Sequence, residues 1–126
     1  MRLILEFERY RMLEDITSEI SVIFPYIKIK GCYLYASSSI DRGGNPITRI
    51  DSKVPIKALL IKVENNEITI KSLINSLGDP NFSKKVIECL LRIIDKNTKI
   101  VVDQDVSGGF WDYMIGKYPE INWVKS

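Results

Sequence analysis

The run Ser72-Leu73-Ile74-Asn75-Ser76-Leu77-Gly78-Asp79-Pro80-Asn81 decides how this chain is read. Apolar alternation stops at Ile74, and Asp79-Pro80 then supplies an acid for a helix cap and a proline for a first turn. A strand therefore passes into a helix here. Such a junction presents free backbone N–H groups and the positive end of a helix dipole, a combination that suits an anion or a phosphate.

Before the junction, Ile56 to Val63 is almost continuously apolar, with Lys57 and Lys62 near its ends, as expected of a central strand covered on both faces. Asn65-Asn66 tolerates left-handed backbone and predicts a tight antiparallel hairpin. The second strand, Glu67 to Leu73, sets Ile68 and Ile70 against Thr69 and Lys71. After the junction, Val86, Ile87, Leu90, Leu91, Ile93 and Ile94 form one apolar helix face, with Asn97 placed to end the helix in a left-handed conformation. Ile100-Val101-Val102 reads as a short buried strand, and Asp103 to Gly109 as a turn. Phe110 to Tyr118 reads as a helix stopped by Pro119, and Ile121 to Val124 as a last strand.

Upstream, Phe7, Tyr10, Leu13, Ile16, Ile20 and Ile23 recur at steps of three or four, which predicts an amphipathic helix closed by Pro25. Met1 to Leu5 fits either a short strand or more of that helix. Tyr26 to Ser37 alternates as one strand, with Ile27, Ile29, Tyr33 and Tyr35 on one side. Lys28, Lys30, Cys32 and Leu34 fall on the other, and Gly31 marks a bulge. Residues 37–55 read as a loop, either a solvated connection or a substrate-contacting segment offering Arg42, Arg49 and Lys53.

Composition narrows the chemistry. The 126 residues fit one domain, 1–126, and the 45% hydrophobic and 27% charged contents are those of an ordinary globular protein. A net charge of +2 gives no strong field for a polyanion, so by this measure nucleic acid is not the expected partner. No apolar run approaches the roughly 18 residues of a membrane span, and Glu6 and Glu8 sit where a signal peptide would be apolar. Cys32 and Cys89 read as buried free thiols, so a cytoplasmic setting is expected. Histidine is absent, which removes Ser-His and Cys-His nucleophiles and imidazole metal ligands, and no metal is expected. Acid–base work would fall to carboxylates, tyrosine, lysine or cysteine. Monomer and homodimer both remain open.

The order strand, Asn-Asn turn, strand, helix, strand, Gly-Phe-Trp helix, strand resembles the C-terminal two-thirds of the GNAT family of N-acetyltransferases. The specific likeness lies in Ile68-Thr69-Ile70-Lys71-Ser72-Leu73, the helix from Ser83 to Asp95, Ile100-Val101-Val102 and Ser107 to Pro119. The resemblance implies an α+β fold with a mixed, mostly antiparallel central sheet flanked by three helices. It implies acetyl-coenzyme A as cofactor and an amine as acetyl acceptor. It places Leu73, Leu77, Gly78, Asn81, Ser83 and Lys84 at the cofactor, and Tyr113 or Tyr118 as general acid. Glu64, Asp103 and Asp105 are the carboxylates it offers as base, with Glu64 preferred. The family's diphosphate loop, Arg/Gln-x-x-Gly-x-Gly/Ala, keeps only Gly78 here, while Pro80 deletes a donor and Asp79 adds negative charge. Two further functions therefore stand beside transfer. One is a GNAT-like domain without catalysis that acts through protein contacts. The other is a nucleic-acid binder using Arg9, Arg11, Lys28, Lys30, Arg42 and Arg49.

Overall fold

The computed structural model describes residues 2–50, 53–103, 105 and 108–126, with side chains described from Glu8 onward. Its elements are α1 (Arg2–Ile20), β1 (Tyr26–Lys30), β2 (Tyr33–Ser37), β3 (Lys57–Glu64) and β4 (Glu67–Asn75), then α2 (Phe82–Ile93), β5 (Lys99–Val102), α3 (Phe110–Lys117) and β6 (Asn122–Lys125). The six strands form one sheet in sequence order, β1-β2-β3-β4-β5-β6. Two-residue turns join β1 to β2 and β3 to β4, the long loop after Ser37 joins β2 to β3, and these three pairings are antiparallel. Each later strand is reached through a helix that carries the chain back to the same end, so β4–β5 and β5–β6 are parallel.

All three helices cover one face of the sheet. Leu34, Leu59, Ile61, Ile70 and Val102 share a single core with Leu13, Ile16 and Ile20 of α1. Val86, Ile87 and Leu90 of α2 and Trp111 and Met114 of α3 complete it. Both parallel crossovers step the same way along the sheet, and right-handed crossovers then put α2 and α3 on one side. Each of the large side chains in that core contributes about 1.5–3 kcal/mol of burial. This corrects the GNAT-like expectation of a mostly antiparallel sheet flanked by helices. The sheet is mixed, three antiparallel pairings and two parallel, with its helices on one side.

Among the described residues the other face carries no helix. Loop 38–50 folds over one end of it through an Ile40–Pro46 bridge and a turn in which Asp41 accepts from the N–H groups of Gly43 and Asn45. Ile47 packs there on Ile56, Ala58 and Ile74, a second, small apolar cluster. The 37–55 segment is therefore a connection with packing of its own at one end, and Asp51 and Ser52 lie outside the described residues.

Several local expectations change. The first helix already runs from Arg2, and its buried stripe is Leu13, Ile16 and Ile20, whereas Tyr10 points outward at 56% exposure. Phe7 lies outside the described side chains, as do Gln104, Val106 and Ser107 altogether. Tyr26 to Ser37 is not one bulged strand but a hairpin. Lys30 pairs with Tyr33 across a Gly31-Cys32 turn in which Gly31 takes φ 62°. That turn inverts the later alternation, so Leu34 and Ala36 join the core while Tyr33 and Tyr35 join Lys28 and Lys30 on the open face. Asn65 and Asn66 both take positive φ, 47° and 61°, as a tight hairpin requires. The end of α2 differs too. Ile94 is extended, and the Asp95 carboxylate accepts from the Asn97 N–H and the Thr98 hydroxyl.

Candidate functional site

The junction at Ser72–Asn81 is built around a fork in the sheet. β4 and β5 pair from Glu67↔Lys99 to Ile70↔Val102, and the Asp103 N–H makes a last bond to the Ile70 carbonyl at 3.2 Å. β4 then continues to Asn75 beside β3 alone, and among the described residues no strand pairs with its other edge. The parting begins at a bulge. Ile61 faces Ile70 and Leu60 faces Ser72, which leaves Lys71 as the extra residue. A bulge bends its strand and ends regular pairing, so the backbone edge after Ile70 turns away from β5.

Lys71 then reaches across the crotch of the fork and bonds Asp103 at 2.6 Å. That hydrogen bond holds the Asp103 carboxyl below its ordinary pKa. Beyond the ion pair lies a cavity of about 500 Å³, lined by Leu73 and Ile74 of β4, Val102 of β5, Trp111 of α3, and Arg49 and Ile50 of the loop. A second opening of about 440 Å³ adjoins it at the end of β4 and the start of α3, between Asn75, Asn81, Lys84, Phe110 and Tyr113. The two hollows flank the same separated strand end.

The start of α2 is held in an unexpected way. Asn81, not Asp79, is the residue before the first helical turn, with φ 67° and no side-chain cap bond. Asp79 instead pairs with Lys57 of β3 at 2.6 Å, and the hydrogen bond from Lys57 keeps its carboxyl below the usual range. Asn75 clamps the same turn through both ends of its amide, donating to the Asp79 carbonyl at 2.9 Å and accepting from the Asp79 N–H at 3.1 Å. The negative charge expected to repel a phosphate is thus matched by Lys57, while Lys84 at the opening and Lys85 beside it add positive charge.

The residues singled out in the sequence fall into three places. Gly78, Asn81, Ser83, Lys84 and Tyr113 meet around the second opening, where Tyr113 is 54% exposed. Leu73 lines the fork cavity, and Leu77 points to solvent. Tyr118 sits beyond α3 and donates a hydrogen bond to Glu88 of α2. That bond lowers the Glu88 carboxyl and raises the Tyr118 phenol, with burial adding to the latter. Glu64 is at the opposite end of the sheet, next to the Asn65-Asn66 turn and about 26 Å from Asn75 along β4. It bonds Lys62 at 2.7 Å, which lowers its pKa. Asp105 pairs with Lys125 at 2.9 Å. Tyr113, Tyr118 and Glu64 therefore do not form one constellation.

Lys57, Lys71, Asn75, Thr48 and Ile50 shape the site without having been expected there. Asn75 lay inside the decisive stretch and its amide was the available clue. The others are brought in by strand register and by the loop. Among the described residues no group of three Cys, Asp or Glu side chains is placed to hold a metal ion, and no helix is long and apolar enough to cross a membrane. Comparison with family models, curated proteins and solved structures finds no match for this chain.

Proposed function

We propose that the chain binds an acyl-coenzyme A, with acetyl-coenzyme A the simplest case, in the fork between β4 and β5. The observation that carries this reading is the parting of the two strands after Ile70 and Val102, which leaves the 71–75 edge of β4 beside a cavity. An extended chain bearing amide groups, such as a pantetheine arm, satisfies such an edge in the manner of an added strand. Its phosphates would reach the adjoining opening, where Lys84 and the first turn of α2 offer positive charge and N–H donors. The ends of parallel strands are also where ligands of α/β sheets generally lie.

Binding is better supported than transfer. Asp103 lines the fork but is tied to Lys71, whose bond lowers its pKa and weakens it as a base, Glu64 is remote, and the Tyr118 hydroxyl is taken up by its bond to Glu88, which raises its pKa. A second reading, acetyl transfer to an amine, rests on Tyr113 alone, an exposed phenol on the same opening as Lys84. In that reading Tyr113 would protonate the departing thiolate.

Thermal unfolding tests the proposal. Millimolar acetyl-coenzyme A raises Tm by several degrees in the wild type, and the shift shrinks in Lys84→Glu. No shift at millimolar ligand overturns binding. If binding holds, turnover of acetyl-coenzyme A with an amine panel that disappears in Tyr113→Phe supports the second reading, and absence of turnover rejects it.

A further inference from the structure

We propose that the helix-free face of the sheet binds single-stranded nucleic acid, with Tyr33 and Tyr35 as base-stacking platforms. The strand registers place Lys30, Tyr33, Lys62, Thr69 and Val101 in one row across β1 to β5. The next row holds Lys28, Tyr35 and Leu60. No helix crosses these rows, because α1, α2 and α3 all pack in the core on the other side. The loop that does fold over this face packs on Ile56, Ala58 and Ile74, and its Asn45, Pro46 and Thr48 come up beside Lys28 and Tyr35.

Three observations choose the occupant. Tyr33 and Tyr35 project two residues apart on one strand, both half-buried, with ring centroids 6.3 Å apart and planes tilted by 38°. That gives two neighbouring aromatic surfaces on a sheet, the arrangement on which unstacked bases of a single strand lie, whereas a duplex keeps its bases inside. Lysines surround them. Lys28, Lys30, Lys62, Lys71 and Lys99 share this face with Glu64, Glu67 and Asp103. Glu64 and Asp103 are matched by Lys62 and Lys71, while Lys30 and Lys99 are exposed and make no ion pair among the described residues. Five lysines against three acids leave a net charge of +2 on this face, equal to that of the whole chain, with Lys30 and Lys99 the lysines free to meet phosphates. Third, beside Tyr35 lies a hollow of about 290 Å³ lined by Lys28, Lys30, Asn45, Pro46 and Thr48. It is large enough for a base, and the Asn45 amide, already bonded to Lys28 at 2.7 Å, can read a base edge. With phosphates along Lys30 and Lys99, and Lys62 held by Glu64 and 5.8 Å from the Tyr33 ring centroid, stacking on Tyr33 and Tyr35 accounts for about two bases.

The test uses the whole chain and a fluorescein-labelled oligouridylate, with oligothymidylate and a duplex of equal length beside it, read by fluorescence anisotropy. Saturable binding to both single strands at low salt is expected, with the duplex much weaker. Tyr33→Ala and Tyr35→Ala each weaken binding about tenfold. Since both rings are half-buried, Lys30→Gln and Lys99→Gln serve as variants that leave the core intact. Each lowers the slope of log affinity against log salt by about 0.7. Arg92→Gln, on the helix side, leaves affinity and slope unchanged. Absence of saturable binding at low salt overturns the proposal. So does equal affinity for the duplex, or wild-type affinity and slope in the Lys30 and Lys99 variants.

Discussion

Lys57 at the start of β3 holds Asp79, ahead of α2, at 2.6 Å, and this ion pair fixes how the decisive strand-to-helix junction meets the sheet. Lys57 also lies 5.4 Å from the ring centroid of Phe82, the first residue of α2. One lysine thereby touches both the turn and the helix that follows it.

Removing that pair is predicted to act through pH. The Asp79 carboxyl has a lowered pKa in the folded chain, so its contribution is present above its unfolded value of about 3.9 and is lost as pH falls through the lower folded value. Asp79→Asn should therefore lower Tm at neutral pH by no more than a few degrees, since both partners are partly exposed. The variant and the wild type should converge as pH falls through that lowered folded value. Thermal melts across acid pH check this, and a constant gap between the two down to the lowest pH contradicts it.

Tyr118 and Glu88 give a dependence at both ends of the pH scale. Glu88 is lowered by the Tyr118 hydroxyl, so its contribution is present above about pH 4.3 and fades as pH falls through the folded value. Tyr118 is raised by Glu88, so its contribution is present below about pH 10 and is lost as pH climbs through the folded value. Tyr118→Phe removes the bond and leaves Glu88 with Lys117 at 3.7 Å. The Glu88 carboxyl should then titrate closer to its ordinary range, as followed by carbon NMR of the side chain. Stability of the variant should vary less than the wild type at both pH extremes.

What was legible in the sequence depended on how local its cause was. The Asn65-Asn66 hairpin was readable because two residues that accept positive φ sit between two apolar runs. The Gly31-Cys32 turn was not, because the alternation continues on both sides and a single glycine equally signals a bulge. Its cost was the facing of Tyr33 and Tyr35. The two helix-bearing connections called for parallel strands, a signal in the pattern that a mostly antiparallel expectation overrode. The fork was out of reach, since it hangs on Lys71 being the extra residue in the register of β4 against β3. Lys57 and Asp79 lie 22 positions apart, and no periodicity links them.

The two apolar clusters should respond unequally to truncation. Leu90 is 1% exposed and belongs to the core shared by the sheet and all three helices. Leu90→Ala should cost about 3 kcal/mol, since the lost transfer energy is joined by a cavity the surrounding helices cannot close. Ile47 is half-buried on a cluster of three residues, so Ile47→Ala should cost about 1 kcal/mol. Urea unfolding at constant m-value measures both. Equal costs would mean that loop 38–50 is as tightly built into the fold as α2.

Gly31 offers the sharpest check on the hairpin, because the proposal for the open face depends on it. The residue takes φ 62°, and a Cβ there would meet nothing within 4 Å. Gly31→Ala therefore adds no clash, and its cost is that of a left-handed backbone for an L-residue, about 1 kcal/mol. Gly31→Asn should cost less, since asparagine enters that region more readily. If Tyr26 to Ser37 were instead one strand with a bulge, the ranking of alanine and asparagine would follow strand propensity, where asparagine gains nothing. Urea unfolding of the two variants gives the order. Asparagine more stable than alanine is expected of the two-residue turn that pairs Lys30 with Tyr33 and sets Tyr33 and Tyr35 beside the lysines.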